Sequence, residues 1–289
     1  MRFSFIAIAS AIAATSMVMA APLRNLAKRD QASDNGILNF ALTLEHLESE
    51  FYTQGLHKFG PDAFASYHLD DKVRERFVHI GEHEATHVKV LTSVIESMGG
   101  KAVPKCTYKF PLDNIETFIA VSRALEQTGV SAYLGAAAGI TSGDLLTAAG
   151  TIVTVEARQS SFLNELVGGE GAPYAFDTPL TPREVFTLAS NFIESCPYDL
   201  GIAPFTQLKA EIKGDKVETS YEGEVKGRQE WCQFLYNNKM VVSRREECKL
   251  PPTVNGYVYV VITDTATPLT LKDEDHILAG PALLFRGNH

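Results

Sequence analysis

The sequence predicts a mainly α protein, with a four-helix bundle followed by a fifth helix and a small β-rich C-terminal extension. Apolar residues recur at helical spacing over four long stretches between residues 35 and 166. Each of these stretches carries a glutamate on its apolar face. Beyond about residue 209 the helical pattern ends, and short groups rich in β-branched and aromatic residues follow.

The predicted helices have recognisable start and stop signals. They span residues 35–54, 71–98, 115–138, 145–166 and 181–195. We expect Asp34 to cap the first helix and Gly99-Gly100 to end the second. The fifth begins with Thr181-Pro182-Arg183-Glu184, which combines a capping box with a proline in the first turn. The clearest strand is residues 257–262. We therefore divide the chain into a helical bundle at 35–208 and an extension at 209–289.

The N-terminus has the features of a secretory signal. Residues 1–20 contain Arg2 and then an apolar run from Phe5 to Met19, which is short for a membrane span. A retained N-terminal anchor is the alternative. Lys28-Arg29 is a possible dibasic processing site, so residues 21–29 would be a propeptide. We expect a secreted protein, located outside the cell or in the cell wall.

Composition excludes several classes of partner. The 289-residue chain has a formal net charge of -9 and has no Lys/Arg block longer than two residues, so we expect no nucleic-acid partner. The stretch from Tyr133 to Val155 is strongly apolar, but Asp144 interrupts it. Two helix ends and a turn explain this pattern better than a bilayer does, so we expect no membrane association after signal cleavage.

Four cysteines follow the signal, which suggests two disulfides in an oxidising compartment. Three pairings are possible. We favour Cys232 with Cys248, which are close in sequence, and Cys106 with Cys196. The spacing does not match a thiolate zinc site.

The most informative feature is an internal repeat across the four helices. Its parts are Glu45 with Tyr52, Glu84 with His87, Glu126 with Tyr133, and Glu156 with Gln159. Residues three apart share a helix face, so each Glu-x-x-His or Glu-x-x-Gln pair can reach one ion. Buried carboxylates are unfavourable unless they are paired or bind metal. One from each helix predicts a carboxylate-bridged metal pair.

Two alternatives concern the details of this site. Glu48 lies close to the same stripe as Glu45 and is the second candidate for the ligand from the first helix. Tyr52 and Tyr133 are either core aromatics or supports for the ligands. We expect His83 to point around its helix, away from the site.

At this level the chain resembles a known group, the fungal secreted ferritin-like proteins linked with stress response and late sexual development, which are similar to plant desiccation-related proteins. The resemblance is carried by Asn39-Phe40-Ala41-Leu42-Thr43-Leu44-Glu45, Glu84-Ala85-Thr86-His87-Val88, Leu125-Glu126-Gln127-Thr128-Gly129-Val130-Ser131-Ala132-Tyr133, Val155-Glu156-Ala157-Arg158 and Ala279-Gly280-Pro281-Ala282. It implies a ferritin-like bundle and secretion more than any particular reaction.

One residue departs from the pattern of this group. Gln159 stands where the group has histidine, although animal ferritins, which the bundle resembles, also use glutamine on that helix. An amide oxygen is a harder ligand than imidazole, which favours iron or manganese over zinc or copper. We therefore expect a di-iron or di-manganese site held by Glu45, Glu84, His87, Glu126, Glu156 and Gln159, with one position looser than the other.

Two functions remain open from the sequence. The first is an oxidoreductase-type metal site acting on oxygen or peroxide. The second is a non-catalytic secreted protein with a degenerate metal site, which protects the cell during stress or contacts a cell-wall component or further copies of itself. Iron storage in a cage is a weaker third possibility, because the extension shows no sign of fitting a shell.

Overall fold

The computed structural model describes residues 31–225, 227–270 and 273–287. The expected signal peptide and propeptide at residues 1–29 lie outside the described residues. The described part is mainly helical, with small antiparallel sheets towards the C-terminus, which confirms the expected fold class.

Six α-helices are present in the described residues. They are α1 Gln31–Lys58, α2 Pro61–Ser66, α3 Asp71–Ser97, α4 Ile115–Ala137, α5 Gly143–Leu166 and α6 Pro182–Ala189. The four long helices form two packed pairs, α1 with α3 and α4 with α5. These pairs correspond to the two halves of the sequence repeat.

Side-chain caps fix where most of these helices begin. Asp70, Asn114 and Ser142 each accept a hydrogen bond from a backbone N–H in the first turn of the helix that follows. Thr181 forms the expected capping box with Glu184. Asp34 is not a cap, because α1 already begins at Gln31. Its carboxylate instead accepts a 2.9 Å hydrogen bond from the Thr141 backbone, which joins α1 to the α4–α5 turn.

The fifth predicted helix is shorter than expected. It ends at Ala189, and Ser190–Phe192 forms a 3₁₀ turn. Strand β2, Ile193–Ser195, then pairs with β1, Thr107–Tyr108. The pairing with β1 draws the chain out of helical conformation, and the disulfide between Cys106 and Cys196 closes the same junction.

The described residues of the C-terminal part form six strands: β3 Leu208–Lys213, β4 Lys216–Tyr221, β5 Trp231–Tyr236, β6 Lys239–Arg244, β7 Tyr257–Thr263 and β8 Ile277–Phe285. β3 and β4 form a hairpin, and the other four form an antiparallel sheet in the order β6-β5-β7-β8. Every residue of β7 is buried, which explains its continuous run of β-branched and aromatic residues. The favoured Cys232–Cys248 disulfide is also present.

The sheet packs on the helices through α4. The hydroxyl of Tyr259 lies 2.8 Å from Ser131 Oγ and donates to the backbone oxygen of Gln127 at 3.2 Å. Apolar residues of β5 and β7 share one core cluster with the helices. Among the described helices, none combines the length and hydropathy needed to cross a bilayer.

Candidate metal centre

The polar centre of the bundle is built from all four long helices. Its expected residues are Glu45 on α1, Glu84 and His87 on α3, Glu126 on α4, and Glu156 and Gln159 on α5. All six are buried, and Glu84, Glu126 and Glu156 have no solvent-exposed surface. Such burial is unusual for carboxylates and calls for partners or ions.

Four of these residues form a compact ligand group. Glu45, Glu84, His87 and Glu156 each offer one ligand atom, and these atoms lie within 4.8 Å of one another. His87 Nδ1 lies 3.1 Å from Glu45, 3.1 Å from Glu84 and 3.4 Å from Glu156. The geometry therefore brings three helices to a single point around one imidazole.

Glu126 and Gln159 border this compact group. Tyr52 donates a 2.5 Å hydrogen bond to Glu126 Oε1. Gln159 Nε2 donates to Glu84 Oε1 at 2.9 Å. The amide nitrogen of Gln159 thus faces Glu84, and its oxygen stays available to another partner.

Both repeat tyrosines donate hydrogen bonds to expected ligands, which favours their role as supports for the ligands over a purely apolar core role. Tyr133 on α4 donates a 2.5 Å hydrogen bond to Glu45 Oε1 on α1. Tyr52 makes the converse contact, from α1 to Glu126 on α4. The seven-residue spacing places each tyrosine two turns from the glutamate of its own helix and within reach of the other helix's glutamate.

Glu48 is a further buried carboxylate next to the group. It is 4% exposed, and its charge interacts with Glu45, Glu84, Glu126 and Glu156. Helical spacing identified it as an alternative to Glu45, but the structure buries both residues. Three residues apart, they lie on one face of α1 and both reach the centre.

His83 is exposed, unlike Glu84 and His87, which agrees with a side chain that points away from the centre. Its Nδ1 nevertheless lies 3.5 Å from Gln159 Nε2, at the edge of the site. His83 and His87 are four residues apart, so they lie on neighbouring turns of the same face of α3.

Burial shifts the protonation of the acidic groups strongly. Desolvation raises the pKa of Glu84 and of Glu156 to about 7, and raises that of Glu126 and Glu48 well above the usual range. Neighbouring carboxylates raise these values further. Burial would lower the pKa of His87, but its contacts with the surrounding carboxylates raise it to about 12. Without metal, the centre therefore holds protons at neutral pH.

Several buried oxygens in this centre have no hydrogen-bond partner within the described part of the chain. Glu156 Oε1 lies 3.4 Å from His87 Nδ1, and the atoms without a partner are Glu126 Oε2, Glu156 Oε2 and Gln159 Oε1. Native proteins rarely leave such atoms unpaired, and an ion is one accepted explanation. The absence of a side chain at Gly129 lets these carboxylates lie close to α4, because a Cβ there would lie 2.6 Å from Glu156 Oε2 and 3.3 Å from Glu48 Oε1. The residues present therefore fit a metal centre.

The donor set indicates which metals suit it. Carboxylate oxygens dominate, with one imidazole and one amide oxygen. This combination on four helices is typical of bundle-core iron and manganese sites and lacks the thiolates that zinc and copper often use.

Comparison with known proteins agrees with this architecture. Residues 33–169 match the model of the family described as "Ferritin-like domain". This range contains all six expected site residues and the four long helices except for the first two residues of α1. Residues 33–169 are therefore similar to a ferritin-like domain, and their fold is a ferritin-like helical bundle.

A fungal relative extends this similarity. Protein rds1 of Schizosaccharomyces pombe is 26% identical over 160 residues, which is 55% of this chain. The match spans 39% of the length of that relative. Among solved structures, a conserved hypothetical protein of Mycobacterium tuberculosis is 17% identical, with a TM-score of 0.42. It covers 51% of this chain and 99% of its own.

Proposed function

We propose that this is a secreted metal-binding protein whose ferritin-like domain holds two iron or manganese ions for oxidoreductase chemistry on oxygen or peroxide. The observation that carries the proposal is the set of unpartnered carboxylate and amide oxygens at the centre of four helices. The resemblance to stress-response and sexual-development proteins of fungi suggests a role in one of those processes.

The buried polar residues of the four helices would hold the two ions. They are Glu45, Glu84, His87, Glu126, Glu156 and Gln159. A bound metal pair supplies redox equivalents and Lewis acidity. The position that uses Gln159 is expected to be the weaker one, because a neutral amide oxygen is a poorer donor than imidazole.

The protein's own residues contribute orientation and proton handling. Tyr52 and Tyr133 hold Glu126 and Glu45 in place through their hydroxyls. His87 carries a proton on its imidazole in the metal-free protein, and this proton leaves when the nitrogen becomes a ligand. Burial of the carboxylates excludes bulk water, which strengthens every charge interaction in the centre.

A metal analysis with matched variants tests this proposal. Purified protein is reconstituted with Fe(II) or Mn(II), and its metal content is measured for wild type, Glu84→Gln, Glu126→Gln and Glu184→Gln. Glu184 is a buried carboxyl of α6 outside the centre, so its substitution controls for the general effect of removing a buried charge. We expect about two ions per chain in the wild type and the control, and fewer than one in the two site variants.

The opposite outcome would support a different function. Gln159 already donates to Glu84, and a protonated His87 already neutralises part of the acidic group. These contacts favour, as a second candidate, a non-catalytic structural or stress-protective protein with a degenerate site. Wild-type protein that binds no metal after reconstitution, while folded, would select this second candidate.

A further inference from the structure

The two ends of the ferritin-like domain are filled very differently. On one side of the metal centre the bundle contains a network of contacting phenylalanine rings, formed by Phe51, Phe59, Phe64, Phe77 and Phe118. On the other side the facing positions are small: Ala41 on α1, Ala132 and Ala136 on α4, and Ala148 and Ala149 on α5. Small residues on facing helices cannot fill the bundle interior to normal density.

A cavity of about 310 Å³ occupies this second end. Leucine, isoleucine and valine side chains from α1, α3 and α5 complete its walls. Val90, which is 45% exposed, and Thr151 lie on its solvent side. The described residues of the lining include two ionisable side chains, the imidazole of His87 and the phenol of Tyr133.

The inner end of the cavity is the metal centre itself. His87 and Tyr133 line the cavity, and each also contacts Glu45. An apolar molecule inside the cavity would therefore have one end next to a residue of the ligand group. This arrangement, an apolar pocket with a few converging polar groups, is typical of a small-molecule site.

We propose that the cavity binds the hydrocarbon chain of an uncharged aliphatic molecule, such as a medium-chain alcohol or aldehyde, with its polar end at His87 and Tyr133. The volume of about 310 Å³ is roughly ten times the 30 Å³ that one water molecule occupies in the liquid, which leaves room for a medium-length aliphatic chain. A carboxylate headgroup is disfavoured, because His87 already lies against Glu45, Glu84 and Glu156. An ammonium headgroup is disfavoured because the lining contains no carboxylate. Water is also a poor occupant, because an apolar cavity gives it too few hydrogen-bond partners.

The binding site stands independently of the metal, whereas its use as a substrate site rests on the proposed function. The cavity lies in the same helices that carry the ligands, so an aliphatic ligand would sit beside the metal pair. This identifies the substrate class as aliphatic and uncharged, and predicts that oxygen or peroxide chemistry takes place next to a hydrocarbon.

Calorimetric titration with 1-octanol tests the proposal on metal-free and metal-reconstituted protein. Ala148→Phe and Ala136→Phe each place a ring in the cavity, and Thr147→Phe is the matched control. Thr147 is exposed on α5, one residue from Ala148, and does not line the cavity. We expect wild type and Thr147→Phe to bind 1-octanol with a negative heat-capacity change. We expect Ala148→Phe and Ala136→Phe each to bind it at least tenfold more weakly.

The outcomes separate this proposal from the metal proposal. The aliphatic site would be overturned, whatever the metal content, if folded wild-type protein does not bind 1-octanol. It would also be overturned if Ala148→Phe and Ala136→Phe bind 1-octanol as tightly as wild type does. If the protein binds 1-octanol but takes up no metal, the cavity site is supported, and the metal analysis alone contradicts the metal proposal.

Discussion

Tyr52 on α1 donates a 2.5 Å hydrogen bond to Glu126 on α4. Tyr133 on α4 returns the same contact to Glu45 on α1. Each helix thus supplies one expected ligand carboxylate and the phenol that is hydrogen-bonded to the carboxylate of the other helix. This reciprocity gives the seven-residue Glu…Tyr repeat a physical meaning, because it ties the two helix pairs together at the candidate metal centre.

Removal of one phenol should separate its structural and metal roles. Tyr52→Phe leaves Glu126 Oε1 without its donor, so we expect the free energy of unfolding of the metal-free protein to fall by about 1–3 kcal/mol. Metal affinity should fall about 10- to 100-fold, because the ligand loses the group that orients it. Denaturant unfolding and metal titration measure the two effects.

Tyr259→Phe is the control for this variant. Tyr259 is also buried and also uses its hydroxyl, but its partners are Ser131 and Gln127, outside the centre. It should lose stability and keep metal affinity. Equal metal affinity in Tyr52→Phe and wild type would show that the phenol is only a core aromatic.

Gly129 should be required for the space around Glu156. A glycine-to-alanine change inside a helix normally stabilises the protein by about 1 kcal/mol. At Gly129, however, the new Cβ would lie 2.6 Å from Glu156 Oε2. We expect Gly129→Ala to bind metal at least tenfold more weakly than wild type, measured by titration with Mn(II).

Gly150→Ala provides the matched comparison. Gly150 lies inside α5, and a Cβ there would meet nothing within 4 Å. It should bind metal normally and unfold at a higher temperature than wild type. Unchanged metal affinity in Gly129→Ala would mean that metal binding does not require Glu156 to lie this close to the backbone of α4.

Metal binding should release protons. The carboxylates around His87 raise its pKa to about 12, and burial raises the pKa of Glu84 to about 7. In the metal-free protein at pH 7, His87 is therefore protonated in all molecules and Glu84 in a fraction of them. Ligand atoms must lose these protons. We expect at least one proton released per chain, seen as a dependence of the calorimetric binding enthalpy on the ionisation enthalpy of the buffer.

Glu184 should make stability fall as pH rises. Burial raises its pKa from 4.5 unfolded to about 7 folded, so the folded state binds this proton more tightly. The resulting stabilisation is present below pH 4.5 and is lost as pH rises through 7, with a span of about 3 kcal/mol. Glu184→Gln should remove this part of the slope between pH 5 and 7 in denaturant unfolding. An identical slope in the variant would contradict it.

The four long helices could be predicted from sequence because their apolar periodicity and caps are local signals. α2 was not predicted, because one and a half turns give too little periodicity to recognise. The end of α6 was misplaced because its limit is set by pairing between Ile193–Ser195 and Thr107–Tyr108, which are distant in sequence.

The candidate site shows the same division between local and long-range information. Spacing along α3 and α5 placed Glu84, His87 and Gln159 on the inner face of the bundle. The contact of Tyr52 with Glu126 depends on the axial register of α1 against α4, which spacing within one helix cannot give. The choice between Glu45 and Glu48 also stayed open in the sequence, because residues three apart differ little in direction and neighbouring helices decide which are buried.

Anomalous X-ray diffraction from crystals of the Mn(II)-reconstituted protein tests the central claim most directly. We predict two manganese peaks between α1, α3, α4 and α5, bordered by Glu45, Glu84, His87, Glu126, Glu156 and Gln159. Absence of peaks there in fully reconstituted protein, or peaks only at surface carboxylates, would contradict the metal centre.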